Sequence, residues 1–147
     1  MSRFDMDGAT ALVLAAARFD WTWRIYDLPR FCRVVGWELV NIGSEGAEML
    51  AGLNVQHRSV VAYLKESTPR KLLWMSPVLA ERGESGSPRL LSDYVSALRA
   101  IIEPQLGNPA MVTTKPSYSV TWQLPNVTLT IKSIHGVVLL RIINPAR

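Results

Sequence analysis

Apolar positions recur along the chain with two alternating periods, and the changes of period mark the elements. Near the start, Leu12, Ala15, Ala16 and Phe19 fall at helical spacing, and Asp7 is placed to cap a helix running to about Phe19. A second helix is sharper. Asp27 stands where an N-cap is expected, Pro29 fits the first turn, and Leu28, Phe31, Cys32 and Val35 form one apolar stripe with Arg30 and Arg33 pointing away. Gly36 suits a left-handed C-terminal position, and Trp37 opens a strand.

Period two takes over in the middle. A turn at Gly43 to Gly46 precedes a short strand near Met49 to Leu53, "RSVVAYLKE" alternates as a strand from about Arg58 to Leu64, and "RKLLWMS" gives another near Lys71 to Met75. The stretch Leu79 to Arg89, rich in glycine, serine and charge, has no period and reads as a loop. A third helix starts at Ser87 and Pro88 with Leu91, Tyr94, Val95, Leu98, Ile101 and Ile102 as its buried stripe; Pro104 disfavours helix at Glu103, and "LGNP" (Leu106 to Pro109) ends the segment. The remainder reads as a meander. "YSVTWQL" places Tyr118, Val120, Trp122 and Leu124 on one face, Pro125 and Asn126 turn, "VTLTIK" alternates, and His135 with Gly136 turns again. "VVLLRII" is apolar on both faces except at Arg141, which predicts a strand better covered than its neighbours.

Strand runs with separate helices and no βαβ rhythm predict an α+β fold: an antiparallel sheet of about five to six strands, including a C-terminal β-meander, with three helices packed against it. At 147 residues the chain is expected to be a single domain, 1–147. Trp21 and Trp23 sit at the joint of two helices and Trp37 at a joint of helix and strand. With Phe31, Cys32 and Trp122 they are expected to be structural core, filling wedges where elements diverge, rather than a ligand cage.

Charge changes this picture modestly. The net charge of +4 is uneven: residues 1–50 carry five basic and seven acidic side chains, a net of −2, and residues 51–147 carry eleven and five, a net of +6. No acidic residue follows Glu103. Such a field steers acidic partners or nucleic acid, although a few cations on a Ser/Thr-rich sheet face serve solubility equally well. Single-strand binders interleave exposed aromatics with cations, whereas Tyr118 and Trp122 share the core-facing side of the meander. "ATALVLAAA" is as apolar as the centre of an export signal, but the segment before it is net acidic, and a cytoplasmic location is expected. No apolar run approaches the ~20 residues that span a bilayer, so no membrane partner is expected.

Candidate chemistry is sparse. One cysteine excludes an internal disulfide and a thiolate cluster, and Cys32 on an apolar stripe is a core residue rather than a nucleophile. His57 and His135 have no zinc-ligand spacing, so no metal is expected. "GSEG" and "GESG" lack the residues of a phosphate loop, and Glu81 and Glu84 fall in the expected loop, a poor place to hold a general acid. "NVT" at Asn126 matches a glycosylation acceptor but lies in a tight turn. No catalytic residues and no cofactor are expected, and the chain reads as not an enzyme.

"DWTWRIYDLPRFCRVVGW", "LGNP" and "VTWQLPNVTLTI…VVLLRIINP" resemble a family of uncharacterised actinobacterial proteins, similar in turn to immunity proteins of polymorphic toxin systems. The resemblance covers about half the chain, at both ends, and leaves out Ala47 to Arg89. It implies a non-catalytic protein that binds and neutralises a cognate toxin or secreted effector, or acts as its chaperone. Arg30, Arg33, Arg82, Glu84 and Arg89 are the residues assigned to such a partner, because arginine is enriched at interfaces; solvated surface charges are the plain alternative. A nucleic-acid-binding module using the basic C-terminal sheet is the second reading.

Overall fold

The computed structural model describes residues 3–83 and 88–146. Its helices are α1 (Met6–Arg18), α2 (Asp27–Val35) and α3 (Pro88–Leu106). Its strands are β1 (Arg3–Phe4), β2 (Glu38–Ile42), β3 (Gly46–Leu50), β4 (Ser59–Lys65), β5 (Lys71–Met75), β6 (Val78–Glu81), β7 (Met111–Thr113), β8 (Ser119–Gln123), β9 (Thr128–Ile134) and β10 (Val137–Ile143). All pair antiparallel in one sheet of order β2-β3-β4-β5-β10-β9-β8-β7, with β6 also beside β10 and β1 beside β6. The fold is α+β with a C-terminal meander. The ten strands among the described residues exceed the five to six expected from sequence.

Part of the excess has one cause. β5 and β6 are a single strand interrupted at Ser76-Pro77. Both run along β10, in one register from Trp74 opposite Ile143 and Met75 opposite Ile142 to Val78 opposite Leu139, after which a bulge at Leu79 shifts it by one residue. Pro77 has no amide hydrogen for the ladder, but its carbonyl still accepts from the Leu140 N–H at 3.0 Å. The loop expected from Leu79 therefore begins later. Leu79, Ala80 and Glu81 are buried strand residues, Glu84 lies outside the described residues, and α3 is helical from Pro88.

β10 is the central strand. It pairs with β9 from Val137 to Ile143, and β5 and β6 share its other edge. Its apolar run is explained by this position: Val138, Leu140 and Ile142 are fully buried, and the alternate residues are half-buried. The β9–β10 turn places His135 at φ 49° and Gly136 at φ 81°, the two positive angles of a hairpin turn matched to strand twist.

The helices differ from the sequence reading in three places near their ends. Asp5, not Asp7, caps α1 by accepting from the Gly8 N–H at 2.9 Å. Asp27 is already inside α2, and its side chain makes no cap. α3 runs through Pro104 to Leu106 and ends where Gly107, at φ 87°, donates to Glu103 O at 2.8 Å. Pro104 forfeits one bond, to the carbonyl four residues back, and the helix ends two residues later.

Burial alternates strictly along β4, β8 and β10. The inner face, with Val60, Ala62, Met75, Val120, Trp122, Leu129, Ile131 and Leu140, meets α1 and α3 in one core. α3 packs on β8, β9 and β10, α1 on α3, and α2 on β2. The "ATALVLAAA" segment is thus a core helix, with Ala9, Leu12, Val13 and Ala16 buried. The outer face has no such cover among the described residues.

Candidate functional site

The tryptophan-rich joint is closed. Trp21 and Trp23 stack at 4.6 Å, and Phe19, Phe31 and Trp37 pack edge-on or tilted around them. Trp21, Trp23, Phe31, Cys32, Trp37 and Trp122 are all buried. Three indole N–H groups are satisfied by the chain itself: Trp21 donates to Ala16 O, Trp23 to Asn126 O and Trp122 to Gly107 O, at 2.8–2.9 Å. Asn126 returns a bond from Nδ2 to Trp21 O at 3.2 Å. The W-x-W and W-x-L-P-N motifs therefore meet in space, and they build the fold.

Asp27 organises that joint. It is fully buried and accepts from the Thr22 and Trp23 N–H groups, the Thr22 hydroxyl and Arg30 Nη1, at 2.7–2.9 Å. Trp23 has φ 61°, a left-handed conformation that a bulky side chain adopts only under constraint. The carboxylate supplies that constraint.

The residues assigned to a partner are dispersed. Arg30 is engaged within the chain by Asp27, by Asp20 O at 3.3 Å and by the Phe19 ring at 4.7 Å. Arg33 is exposed on α2. Arg82 and Arg89 stand on either side of residues 84–87, Arg82 half-buried with its N–H donating to Gly136 O at 3.0 Å and Arg89 exposed. The two pairs thus occupy different elements, and Glu84 lies outside the described residues.

The outer sheet face carries a different constellation. Strand register puts Tyr63, Trp74 and Ile143 side by side on β4, β5 and β10. The Tyr63 and Trp74 rings stack at 4.2 Å and 22°. Arg141, on the opposite flank, holds its guanidinium 5.3 Å from the Trp74 ring. Tyr63 is 43% exposed and its neighbour Val61 44%. The other flank of Tyr63 faces Gly46, which has no side chain. Only glycine fits there, because a Cβ would lie 2.6 Å from Ala62 O. A row of three planar groups thus stands on the sheet with one ring face open.

Extending the β10 register places Ser76 opposite Arg141, and Thr130 and Thr121 continue the row, their hydroxyls 2.9 Å apart. Ser76 Oγ and Arg141 Nε are shielded from solvent without a hydrogen-bond partner. Lys132 lies one row along, between Ser119 and Leu139. No carboxylate occurs on β7 to β10, and none of the three ion pairs among the described residues involves Arg141 or Lys132. Sequence reasoning missed Tyr63 and Trp74 here. The alternation of "RSVVAYLKE" put Tyr63 opposite the buried Val60, Ala62 and Leu64, and the lone cation in "VVLLRII" marked Arg141.

Groups suited to catalysis are held in structural roles. Burial pushes the Cys32 thiol up to about 11. Glu81, placed in a loop by sequence, is buried on β6. Burial alone would raise its pKa, but bonds from the Gln56 N–H, the His57 ring and the His57 N–H outweigh that and hold it below the usual carboxylate value. The described residues contain no cluster of three or more His, Cys, Asp or Glu that could hold a metal. A half-open apolar groove of about 240 Å³ runs between α1, α2 and residues 52–53, lined by Ala11, Ala15, Val34 and Trp37 among others. No helix among the described residues is long and apolar enough to cross a membrane.

These features define a single-sheet α+β domain with a helix-covered inner face and an open outer face. The chain belongs to a family of unknown function, DUF6301, whose profile matches residues 7–144 and so includes the central strands that the sequence resemblance left out. No curated protein and no solved structure matches the chain, and nothing in the family match links it to toxin immunity.

Proposed function

We propose that this protein is a non-catalytic, immunity-like protein-binding domain. It acts in the cytoplasm on a cognate secreted toxin or effector, as neutraliser or chaperone, and uses the outer sheet face as its docking surface. The observation that supports this reading is the Tyr63–Trp74–Arg141 row on an uncovered sheet. Tyrosine, tryptophan and arginine dominate binding hot spots, because they contribute large contact area at low entropic cost. The reading requires no reaction, and the fold supplies a rigid platform.

The test is affinity capture from nuclease-treated native lysate, read by mass spectrometry, with wild-type and Tyr63→Ala baits. A stoichiometric partner held by wild type and weakened at least ~10-fold by Tyr63→Ala supports the reading. Equal capture by both baits contradicts the assigned surface.

Nucleic acid remains the second reading, favoured by the absence of carboxylates on β7 to β10. Stacking platforms present successive open rings. Here Trp74 is flanked by Tyr63 and Arg141, which leaves one free ring face. Steep loss of DNA retention with salt would favour this alternative.

A further inference from the structure

Resting on the protein-binding reading, we infer that the outer sheet face takes an acidic partner surface, with a partner carboxylate seated at Arg141 and an apolar group on Tyr63, across Trp74 from it. Charge complementarity at a defined place in the register supports this. Arg141 lies near the centre of the sheet, on β10, which has β9 along one edge and β5 and β6 along the other. Its side chain is half-buried against the Trp74 ring, with Nε shielded from solvent, and a counter-charge would compensate it. Nothing within the fold does so fully. Its Nε has no partner, the Ser76 hydroxyl directly opposite has none either, and no carboxylate pairs with it among the described residues.

Contrast with Arg30 sharpens the point. That arginine sits beside the buried Asp27 and is neutralised by it at 2.8 Å. The sequence supplies Arg141 with a ring to lie against and a hydroxyl to face, but with no counter-charge. Lys132 adds a second cation one row away on the same face. A planar guanidinium takes a carboxylate through two parallel N–H···O bonds, and the Trp74 ring holds that plane in orientation. At the far end of the row, the flank of Tyr63 that faces Gly46 carries no side chain. The pattern fits a partner that presents aspartate or glutamate with an aliphatic or aromatic residue about two strand spacings away, roughly 10 Å. The two sheet margins differ in charge: Glu38 and Glu48 sit on β2 and β3, away from this cationic half, and they fix the orientation of an acidic partner.

The experiment uses the full chain as bait in nuclease-treated native lysate, in four forms: wild type, Arg141→Glu, Lys132→Glu, and Arg33→Glu as a control on α2. Thermal melts establish that each bait is folded. Lys132→Glu keeps the test decisive if Arg141→Glu does not fold, since Lys132 makes no ring contact. The expected result is one stoichiometric protein, retained by wild type and Arg33→Glu and weakened at least ~10-fold by either charge reversal on the sheet. Its affinity falls as salt rises from 50 to 300 mM, and a Glu→Lys or Asp→Lys change in it restores binding to a charge-reversed bait. A protein bound equally by all four baits overturns this inference and leaves the protein-binding reading standing. Capture of a second copy of this chain, or of nucleic acid alone when nuclease is omitted, overturns it as well. Capture of nothing by any bait overturns both.

Discussion

Asp27 shows how much one side chain can fix. Its carboxylate holds two backbone amides, a hydroxyl and Arg30, and so keeps Trp23 in a left-handed conformation. Asp27→Ala leaves those donors without an acceptor and is expected to cost roughly 2–4 kcal/mol, measured by urea unfolding. Asp27→Asn should cost less, because the remaining oxygen still accepts. Cys32 gives a second prediction at this scale. With its thiol pushed up to about 11 and its side chain buried, it should resist a thiol reagent at pH 8 in the native protein and react fully in denaturant. The residue types here were legible in the sequence, and the joint was expected to be core. The role of Asp27 was not legible, because an aspartate before a Pro-containing helix looks the same whether it caps forward or, as here, bonds backward to Thr22 and Trp23.

Elements depend on similar long-range ties. Glu81 on β6 accepts from the Gln56 and His57 amides, and Asp5, besides capping α1, accepts from the Asn54 N–H at 3.0 Å. Two carboxylates therefore pin the 54–57 segment, which has few backbone bonds of its own. The Glu81 pKa is lower in the folded chain than in the unfolded one. Its stabilisation is accordingly complete above the ordinary carboxylate value of about 4.3 and is lost as pH falls through the depressed folded value. Melting temperatures followed from pH 7 to pH 3 should drop steeply in that acidic window for wild type. Glu81→Gln should be less stable at pH 7 and show a shallower acid decline. Sequence periodicity placed α2, β4, β5 and the meander well, since each has a clean stripe or alternation. It missed β6 because Ser76-Pro77 looks like a terminator, whereas the partner strand β10 carries the ladder past it. It read Pro104 as disfavouring helix at Glu103, where α3 continues, but placed the end of the segment at Leu106 to Pro109, where Gly107 closes the helix and accepts from Trp122.

At the scale of the whole molecule, one sheet has two unlike faces. The inner face is buried by α1 and α3, and the outer face carries the Tyr63–Trp74–Arg141 row in the open. Both edges on the main path are protected against pairing: β2 is broken by a bulge at Val40, and β7 has three residues. Recognition is thereby directed to the face rather than to the edges. The row was hidden from sequence reasoning because its members lie on three strands, and only register brings Tyr63, Trp74 and Arg141 together. Substitutions on this face should separate binding from stability: Tyr63→Ala is expected to change the unfolding free energy by only about 1 kcal/mol, by urea titration, while abolishing most partner affinity.

The most direct measurement is oxidative footprinting of the captured complex against the free protein, read residue by residue. The account predicts that Tyr63 and Trp74 oxidise in the free chain and are protected in the complex, while Val34 in the α1–α2 groove is unchanged. Protection at Val34 with Tyr63 and Trp74 still reactive would contradict it.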